Sequence, residues 1–404
     1  MSTEPATIGT APAEEAEGLS LRRAMRALAR GDLASVRVLI GIAVIWTIFQ
    51  LANDRFLSAV NLSNLTLQIA AVATISIGVV LVLLLGEIDL SVGAVSGLAA
   101  SVMAVLSVNE GMAPVLALVF GLLVGTAIGL FNGFFVTVFG IPSFVVTLAG
   151  LLGWQGMQLL VLGETGSINL PPNIITDQTT TFFAPGVGWA LGIAAIAGYA
   201  ASLLLARRRR LAAGLEIGPP TGMIVRLVLV SIAILATIAV LNEDRGVPLA
   251  ALIVVVLTVL FTFITERTRY GRHIFAVGGN AEAARRAGIR INRIKLSVFT
   301  LASTLAAAGG ILAASRLLAV NQQSGSGDVL LLAIAGPVIA GTSLFGGRGY
   351  VWSALLGALV IGSISNGMDL LALDSDVKFM ITGAVLLGAV TIDAVTARRR
   401  QAAR

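Results

Sequence analysis

Twelve apolar stretches, each about as long as a bilayer crossing, occupy most of the chain: 35–52, 67–85, 91–107, 114–138, 143–163, 184–206, 223–241, 248–265, 296–318, 329–345, 351–371 and 377–394. A helix needs roughly 20 apolar residues, within a range of about 17–25, to cross the hydrocarbon core. Hydrophobic residues make up 57 % of the 404 and charged residues only 12 %, against roughly 25 % charged in soluble domains. The expected fold is an all-α, polytopic transmembrane helical bundle of about twelve spans. The stretches 91–107 and 329–345 are short and read equally as half-helices.

Arginine placement sets the direction of the spans, because basic loops stay cytoplasmic. Starting with Arg22–Arg30 inside, six crossings return the chain to Arg207–Arg210, two more to 266–295, and four more to Arg398–Arg400. Both termini are therefore expected in the cytoplasm. Residues 1–33 form a cytoplasmic tail, 34–396 a single transmembrane domain and 397–404 a basic tail. The first tail lacks the charged start, apolar core and cleavage pattern of a secretory signal, and Leu21–Leu28 reads as a short helix on the membrane surface. The net charge of +6 raises the question of nucleic acid. The basic residues cluster at the ends of apolar runs, so the charge records topology and no nucleic-acid groove is expected. With no cysteine, disulfides, zinc–thiolate sites and thiol catalysis are excluded, and a single histidine makes a His-based metal site or catalytic triad implausible.

The loop 266–295 is the most polar stretch between spans. It carries Arg267, Arg269, Arg272, Arg285, Arg286, Arg290, Arg293 and Lys295, with His273. Gly278, Gly279 and Asn280 read as a helix start, with Asn280 as cap. Ala281–Ala287 is rich in helix formers, and Gly288 ends the run. Ala283, Ala284 and Ala287 share a face by spacing, while Glu282, Arg285 and Arg286 point elsewhere. A helix this short is unstable alone. It reads either as a docking element or as an ordinary solvated loop.

Three further stretches interrupt the apolar pattern. Gly86–Gly93, GEIDLSVG, puts Glu87 and Asp89 between apolar runs. The favoured reading is a tight turn at the cytoplasmic surface, with Asp89 or Ser91 capping the next helix. The alternative is a helix break inside the fold, aimed at the transport path. Gly121, Gly125, Gly129 and Gly133 recur every fourth residue, which lets another helix approach closely. Asn132–Leu148 follows, broken at Gly140 and Pro142. Gly341–Gly349, GTSLFGGRG, holds Gly346 and Gly347 but no P-loop lysine, and reads as a tight cytoplasmic turn or re-entrant break. The polar stretch 163–181 is the longest external connector, with no room for a folded domain. Asn366-Gly367 faintly echoes Asn132-Gly133, as an internal repeat would.

GEIDLSVG, GGNAEAARRAGI and GTSLFGGRG, in this order, resemble the motifs of permease subunits of bacterial ABC importers for monosaccharides, the ribose/xylose type. Glu87 stands where many members carry Gly, and Leu332 where a polar residue is common. The resemblance covers about Asn61 to Ala394. The pair of spans at 184–206 and 223–241 resembles an insertion of xylose-type members, which points to a pentose. The resemblance implies a permease homodimer in the bacterial inner membrane, surrounded by lipid and catalysing nothing itself. ATP is bound and hydrolysed by separate cytoplasmic ATPase subunits, so the chain needs no cofactor or metal. Asn280, Ala281, Glu282, Ala283, Ala284, Arg285, Ala287 and Gly288 become the ATPase-coupling segment. A periplasmic or surface-tethered sugar-binding protein delivers substrate. Glu87, Asp89, Ser91, Gly93, Asn132, Pro142, Gly346 and Gly347 become candidates for the family motif and the transport path.

A different class competes: an ion-coupled secondary transporter or channel, using Glu87, Asp89 and Asp393. The absence of an evident basic partner for these carboxylates at their own depth speaks against it. A membrane scaffold is disfavoured by the polar breaks. Few polar residues lie within the spans, so the path is expected to be mostly apolar.

Overall fold

The computed structural model describes residues 33–215 and 220–402. The tail with Arg22–Arg30, the expected surface helix Leu21–Leu28, and the side chains of Asp393 and Arg398–Arg400 lie outside the described residues.

Every one of the twelve apolar stretches is helical. In chain order these helices are α1 (Leu33–Ala52), α2 (Ala59–Leu84), α3 (Val92–Ala104), α4 (Pro114–Val138) and α5 (Ser143–Leu162). A short α6 (Ile174–Thr180) precedes α7 (Pro185–Ala212), α8 (Thr221–Glu243) and α9 (Leu249–Arg267). Two more short helices, α10 (Arg269–Gly279) and α11 (Ala281–Arg286), lead into α12 (Ile291–Leu317). The chain ends with α13 (Gly327–Ile339), α14 (Trp352–Leu370) and α15 (Ser375–Ala402). A π-helical turn, Val105–Asn109, extends α3. Among the described residues, nine helices are long and apolar enough to cross a membrane; Val38–Ala52 and Asp328–Ile339 are shorter apolar helices. The fold is thus an all-α membrane bundle. The stretch expected at 329–345 is a thirteen-residue helix containing Pro337, so it spans only ~20 Å at 1.5 Å per residue.

Two helices form the centre. Nearly all of α2 is buried, and most of α12. Their sequences explain this: α12 reads ASTLAAAGGILAAS through its middle, and small residues let backbones approach where lipid supplies no hydrophobic driving force. A Cβ on Gly78 of α2 would lie 2.8 Å from the Ala302 carbonyl oxygen. Gly309 abuts Ala71 and Ile75, and Gly310 abuts the Ser96 backbone on α3. The four-spaced glycines of α4 meet another face of α12. A Cβ on Gly125 would fall 2.5 Å from that of Ala307, and one on Gly129 2.6 Å from the Phe299 carbonyl. The close-approach reading of this stripe is correct.

The bundle has two distinct ends. At the strand end, β1 (Ser167–Asn169) pairs antiparallel with β4 (Ala319–Asn321), and β2 (Phe182–Phe183) with β3 (Val247–Pro248). The connector 163–181 is thus tied down, and Ile175 of α6 is fully buried. Reciprocal amide bonds join Asn61 and Asn366 near this end, at 2.8 and 3.0 Å. The other, basic end carries α10 and α11. The echoing Asn-Gly pairs lie near the C-terminal ends of α4 and α14, at opposite ends of the bundle.

Gly310→Ala should lower the thermal midpoint of the detergent-purified protein, by about 1–3 kcal/mol of overpacking, because the new methyl collides with the Ser96 carbonyl. Gly198→Ala, with nothing within 4 Å of the added carbon, should leave the midpoint unchanged or raise it slightly.

Candidate functional site

The connection from α2 to α3 determines the site. Gly86 turns the chain at φ +75°. Glu87 to Ser91 then runs without regular structure alongside the first turns of α5. The Ile88 N–H donates to Ser143 Oγ at 3.3 Å, and the Leu90 N–H to Thr147 Oγ1 at 3.0 Å. Asp89 is 3 % exposed and Ser91 fully buried. Asp89 Oδ1 accepts from the Ser91 N–H at 2.8 Å and from Ser91 Oγ at 2.6 Å. Asn132 Nδ2 completes the chain by donating to Ser91 Oγ at 3.0 Å. Asn132 lies six residues before the end of α4 at Val138, hence ~9 Å inside it.

The turn itself is exposed at Gly86 and Ile88, as a surface turn would be, while Asp89 and Ser91 are buried within the fold. Such backbone is tolerated at depth only where protein satisfies it, and α5 does so here. Ser91 stands at the N-cap of α3 but makes no side-chain cap bond; its hydroxyl is committed to Asp89 and Asn132. Pro142 is the N-cap residue of α5, and Gly93 sits on the first turn of α3.

The three motifs that are remote in sequence meet at the basic end. A Cβ on Gly346 (φ +80°) would lie 2.7 Å from both the Gly278 carbonyl oxygen and the Gly86 nitrogen. The Gly347 N–H (φ +69°) donates to the Leu84 carbonyl at 2.9 Å, and a Cβ there would fall 2.8 Å from Gly279 Cα. Gly278 itself rests against the Leu84 carbonyl. No side chain fits among these backbones. Glu87 forms a half-buried ion pair with Lys295 on the first turns of α12. This overturns the expectation that Glu87 lacks a basic partner.

The basic segment holds two helices where one was expected. Gly278 and Gly279 end α10 instead of starting the next helix. Ile274 and Val277 bury the inner face of α10, and Tyr270 Oη lies 2.8 Å from Ser297 Oγ on α12. Burial pushes the Tyr270 phenol above its ordinary range. Asn280 caps α11 as expected, accepting from the Ala283 N–H at 2.9 Å, and Gly288 (φ +82°) follows its end. Of the expected small-residue face, Ala283 and Ala287 are exposed, while Ala284 turns inward. Ala284 is 4 % exposed, packed in the same cluster as Ile274, Val277, Ile291 and Ile294. Ala281, Glu282, Ala283, Arg285, Ala287 and Gly288 face outward. Glu282 reaches Arg285 at 3.7 Å and Arg286 at 3.3 Å, exposed pairs that contribute little. Among the described residues no His/Asp/Glu group is placed to hold a metal.

Lys295 was legible only as one more positive charge; its partner lies 208 residues away. The polar face of α5 carried a signal that was not used: Ser143, Thr147, Trp154 and Gln158 recur at helical spacing.

The family model described as branched-chain amino acid transport system / permease component matches residues 61–390. The chain belongs to this permease family. The permease is 36 % identical over 356 residues to the xylose transport system permease protein XylH of Escherichia coli (strain K12), covering 88 % of each chain. It is 35 % identical over 362 residues to XylH of Haemophilus influenzae, covering 88 % of the permease and 95 % of that protein. With the ribose import permease protein RbsC of Bacillus subtilis (strain 168) it shares 29 % over 365 residues, 90 % of the permease and 94 % of the relative. No solved structure matches it.

Removing either charge of the ion pair, as in Glu87→Gln or Lys295→Met, should destabilise the permease by about 1–3 kcal/mol. The exchange Glu87→Lys with Lys295→Glu should recover at least half of the loss. Thermal midpoints of Glu87→Lys, Lys295→Glu and their exchange that simply add would show no coupling between the two residues.

Proposed function

We propose that this chain is the membrane-spanning subunit of an ATP-driven importer of a monosaccharide, a pentose such as xylose, in a bacterial inner membrane. It catalyses no reaction itself; separate ATPase subunits hydrolyse ATP. Membership of the permease family and the names of the xylose and ribose relatives support the substrate class. The observation that carries the mechanism is the contact of Gly86, Gly278 and Gly346 together with the Glu87–Lys295 pair. Through it, a displacement of α11, passed on by the end of α10 to which it is joined, reaches the segment that enters the bundle. ATPase closure would thereby bias the permease between two states, provided the nucleotide-bound ATPase binds one of them better.

In this reading the basic end is cytoplasmic, about twelve spans place both termini there, and residues 34–396 act as one transmembrane domain. The outward residues of α11, namely Asn280, Ala281, Glu282, Ala283, Arg285, Ala287 and Gly288, meet the ATPase. The strand end receives a periplasmic or surface-tethered sugar-binding protein. Two copies pair around a central path in the lipid bilayer.

The test is ATP hydrolysis in proteoliposomes holding the permease, its candidate ATPase and the sugar-binding protein, with xylose, ribose, galactose or no sugar. Xylose-loaded binding protein should stimulate hydrolysis most. Ala283→Trp, on the outward face, should reduce ATPase association at least tenfold with a normal thermal midpoint. Ala284→Trp should instead reduce the yield of folded permease, since its side chain packs inward. Uptake that proceeds without ATP and collapses with the proton gradient would overturn the proposal.

A further inference from the structure

Phe345 is 91 % exposed, more than any other large apolar side chain among the described residues. It stands on the loop 340–351 between α13 and α14. Exposed apolar residues along the spans face lipid and need no further account. Phe345 differs because of where its loop lies. The Gly347 N–H donates to the carbonyl of Leu84 at the end of α2, the most deeply buried of the spans. The loop therefore covers the centre of the basic end, away from its lipid-facing rim. A phenylalanine ring left in water forgoes about 1.5–3 kcal/mol that burial would provide.

The loop is also built to hold the ring out. The Ser343 N–H donates to the Arg348 carbonyl at 3.0 Å, closing the loop at its base. Inside that closure the Phe345 N–H donates to Ser343 Oγ at 3.1 Å. Tyr350 Oη on one leg donates to the Ala340 carbonyl on the other at 2.7 Å, and Thr342 Oγ1 lies 2.6 Å from Ser353 Oγ on α14. Gly346 and Gly347, both at positive φ, turn the chain directly after Phe345. Their backbone contacts with Gly86, Gly278 and Gly279 leave the turn little room to shift. Adjacent Leu344 packs inward against the cluster of Val79, Leu83 and Val338. Of two neighbouring apolar residues, one is thus packed and the other turned out, on backbone that cannot easily exchange them.

We infer that Phe345 is a second anchor for the ATPase subunit, seated in an apolar socket of that partner, with a carboxylate at the socket's rim for Arg348. Three observations select this occupant. The loop touches the end of α10 at Gly279, one residue before the Asn280 cap of α11, so the ring stands beside the outward face of that helix. Arg348, three residues further along the same turn, is exposed as well. The ring is also held in place before any partner arrives. Interfaces are anchored by aromatic residues seated in pockets, and an anchor fixed in advance loses little freedom on binding. The two anchors would grip one backbone junction, α11 through the end of α10 and Phe345 through Gly346. The inference rests on the importer reading and adds a partner contact to it.

The experiment uses the full-length permease in lipid nanodiscs and its candidate ATPase. Phe345→Ala should weaken ATPase binding about tenfold or more, as truncation of an interface anchor does. The thermal midpoint of the free permease should stay unchanged, since the ring is almost wholly exposed. Phe345→Leu, which keeps an apolar side chain, should lose less. The chain has no cysteine, so Phe345→Cys provides a single thiol for a membrane-impermeant maleimide, read on the permease band. Saturating ATPase should slow its modification at least tenfold and leave that of Gln323→Cys, at the strand end, unchanged. ATPase binding that Ala283→Trp weakens and Phe345→Ala does not, or a thiol at 345 equally reactive under bound ATPase, would overturn the inference and leave the importer reading standing. A thiol at 345 protected by lipid before ATPase is added would assign the ring to the membrane surface. Oxidative cross-linking of 345 between two permeases would assign it to a second copy. Either result overturns the inference too. If the ATPase failed to bind the unaltered permease at all, the importer reading itself would fall, and the anchor with it.

Discussion

A peptide N–H or C=O carried into an apolar bundle meets no water, and leaving it unpaired costs about 2–7 kcal/mol. Much of this structure follows from that constraint. Two non-helical segments, 86–91 and 321–326, run from exposed residues (Gly86 and Ile88; Asn321 to Gln323) inward, and there protein must supply what their own backbone cannot. One helix does most of this. Ser143, Thr147 and Gln158 of α5 line the face turned to the two interruptions, while Leu152 and Leu160 on its other side are exposed. By composition α5 is an ordinary apolar span. Ser143, Thr147 and Gln158 are placed where the interruptions need them, Gln155 is exposed, and Trp154 is left with an idle donor.

Close approach of backbones is the second consequence. Interrupted segments pack tightly only against helices that lack side chains at the contact. Gly93 and Gly97 of α3 supply this for 321–326, and Gly310 of α12 gives α3 itself a close backbone contact at Ser96. At the basic end, Gly86, Gly278 and Gly346 make a junction of three backbones with no side chain between them. Such a junction has little slack, because close-packed atoms transmit displacement. The Glu87–Lys295 pair adds a charged tether beside it. A force on α11 therefore reaches the entering segment by way of the end of α10, which is what the proposed coupling of ATP to transport requires.

Several features were legible in the residues alone because they are local. Asn280 caps α11 and Gly288 ends it, as amide geometry and positive φ dictate. The four-spaced glycines of α4 needed a helix partner, and α12 is that partner. Other readings failed for non-local reasons. The spacing of Ala283, Ala284 and Ala287 defines a face without saying which side the protein covers; the apolar side of α10 and the start of α12 draw Ala284 inward. The segment 86–93 contains nothing that distinguishes a surface turn from a buried one. Its depth follows from α5 being available to pair with it.

The sequence by itself determined that this chain is a membrane bundle of helices, roughly where each helix begins and ends, and which short motifs break the pattern. Hydropathy, capping and glycine conformation act over a few residues, so they can be read from a few residues. Only the tertiary structure decided that three distant motifs share one junction, that Glu87 finds Lys295, and that Asn132 and Trp154 face each other across Gly150. Those contacts are set by which helices lie side by side. In an apolar bundle that choice rests on shape and on satisfying buried polar groups across hundreds of residues of chain, for which no local pattern exists.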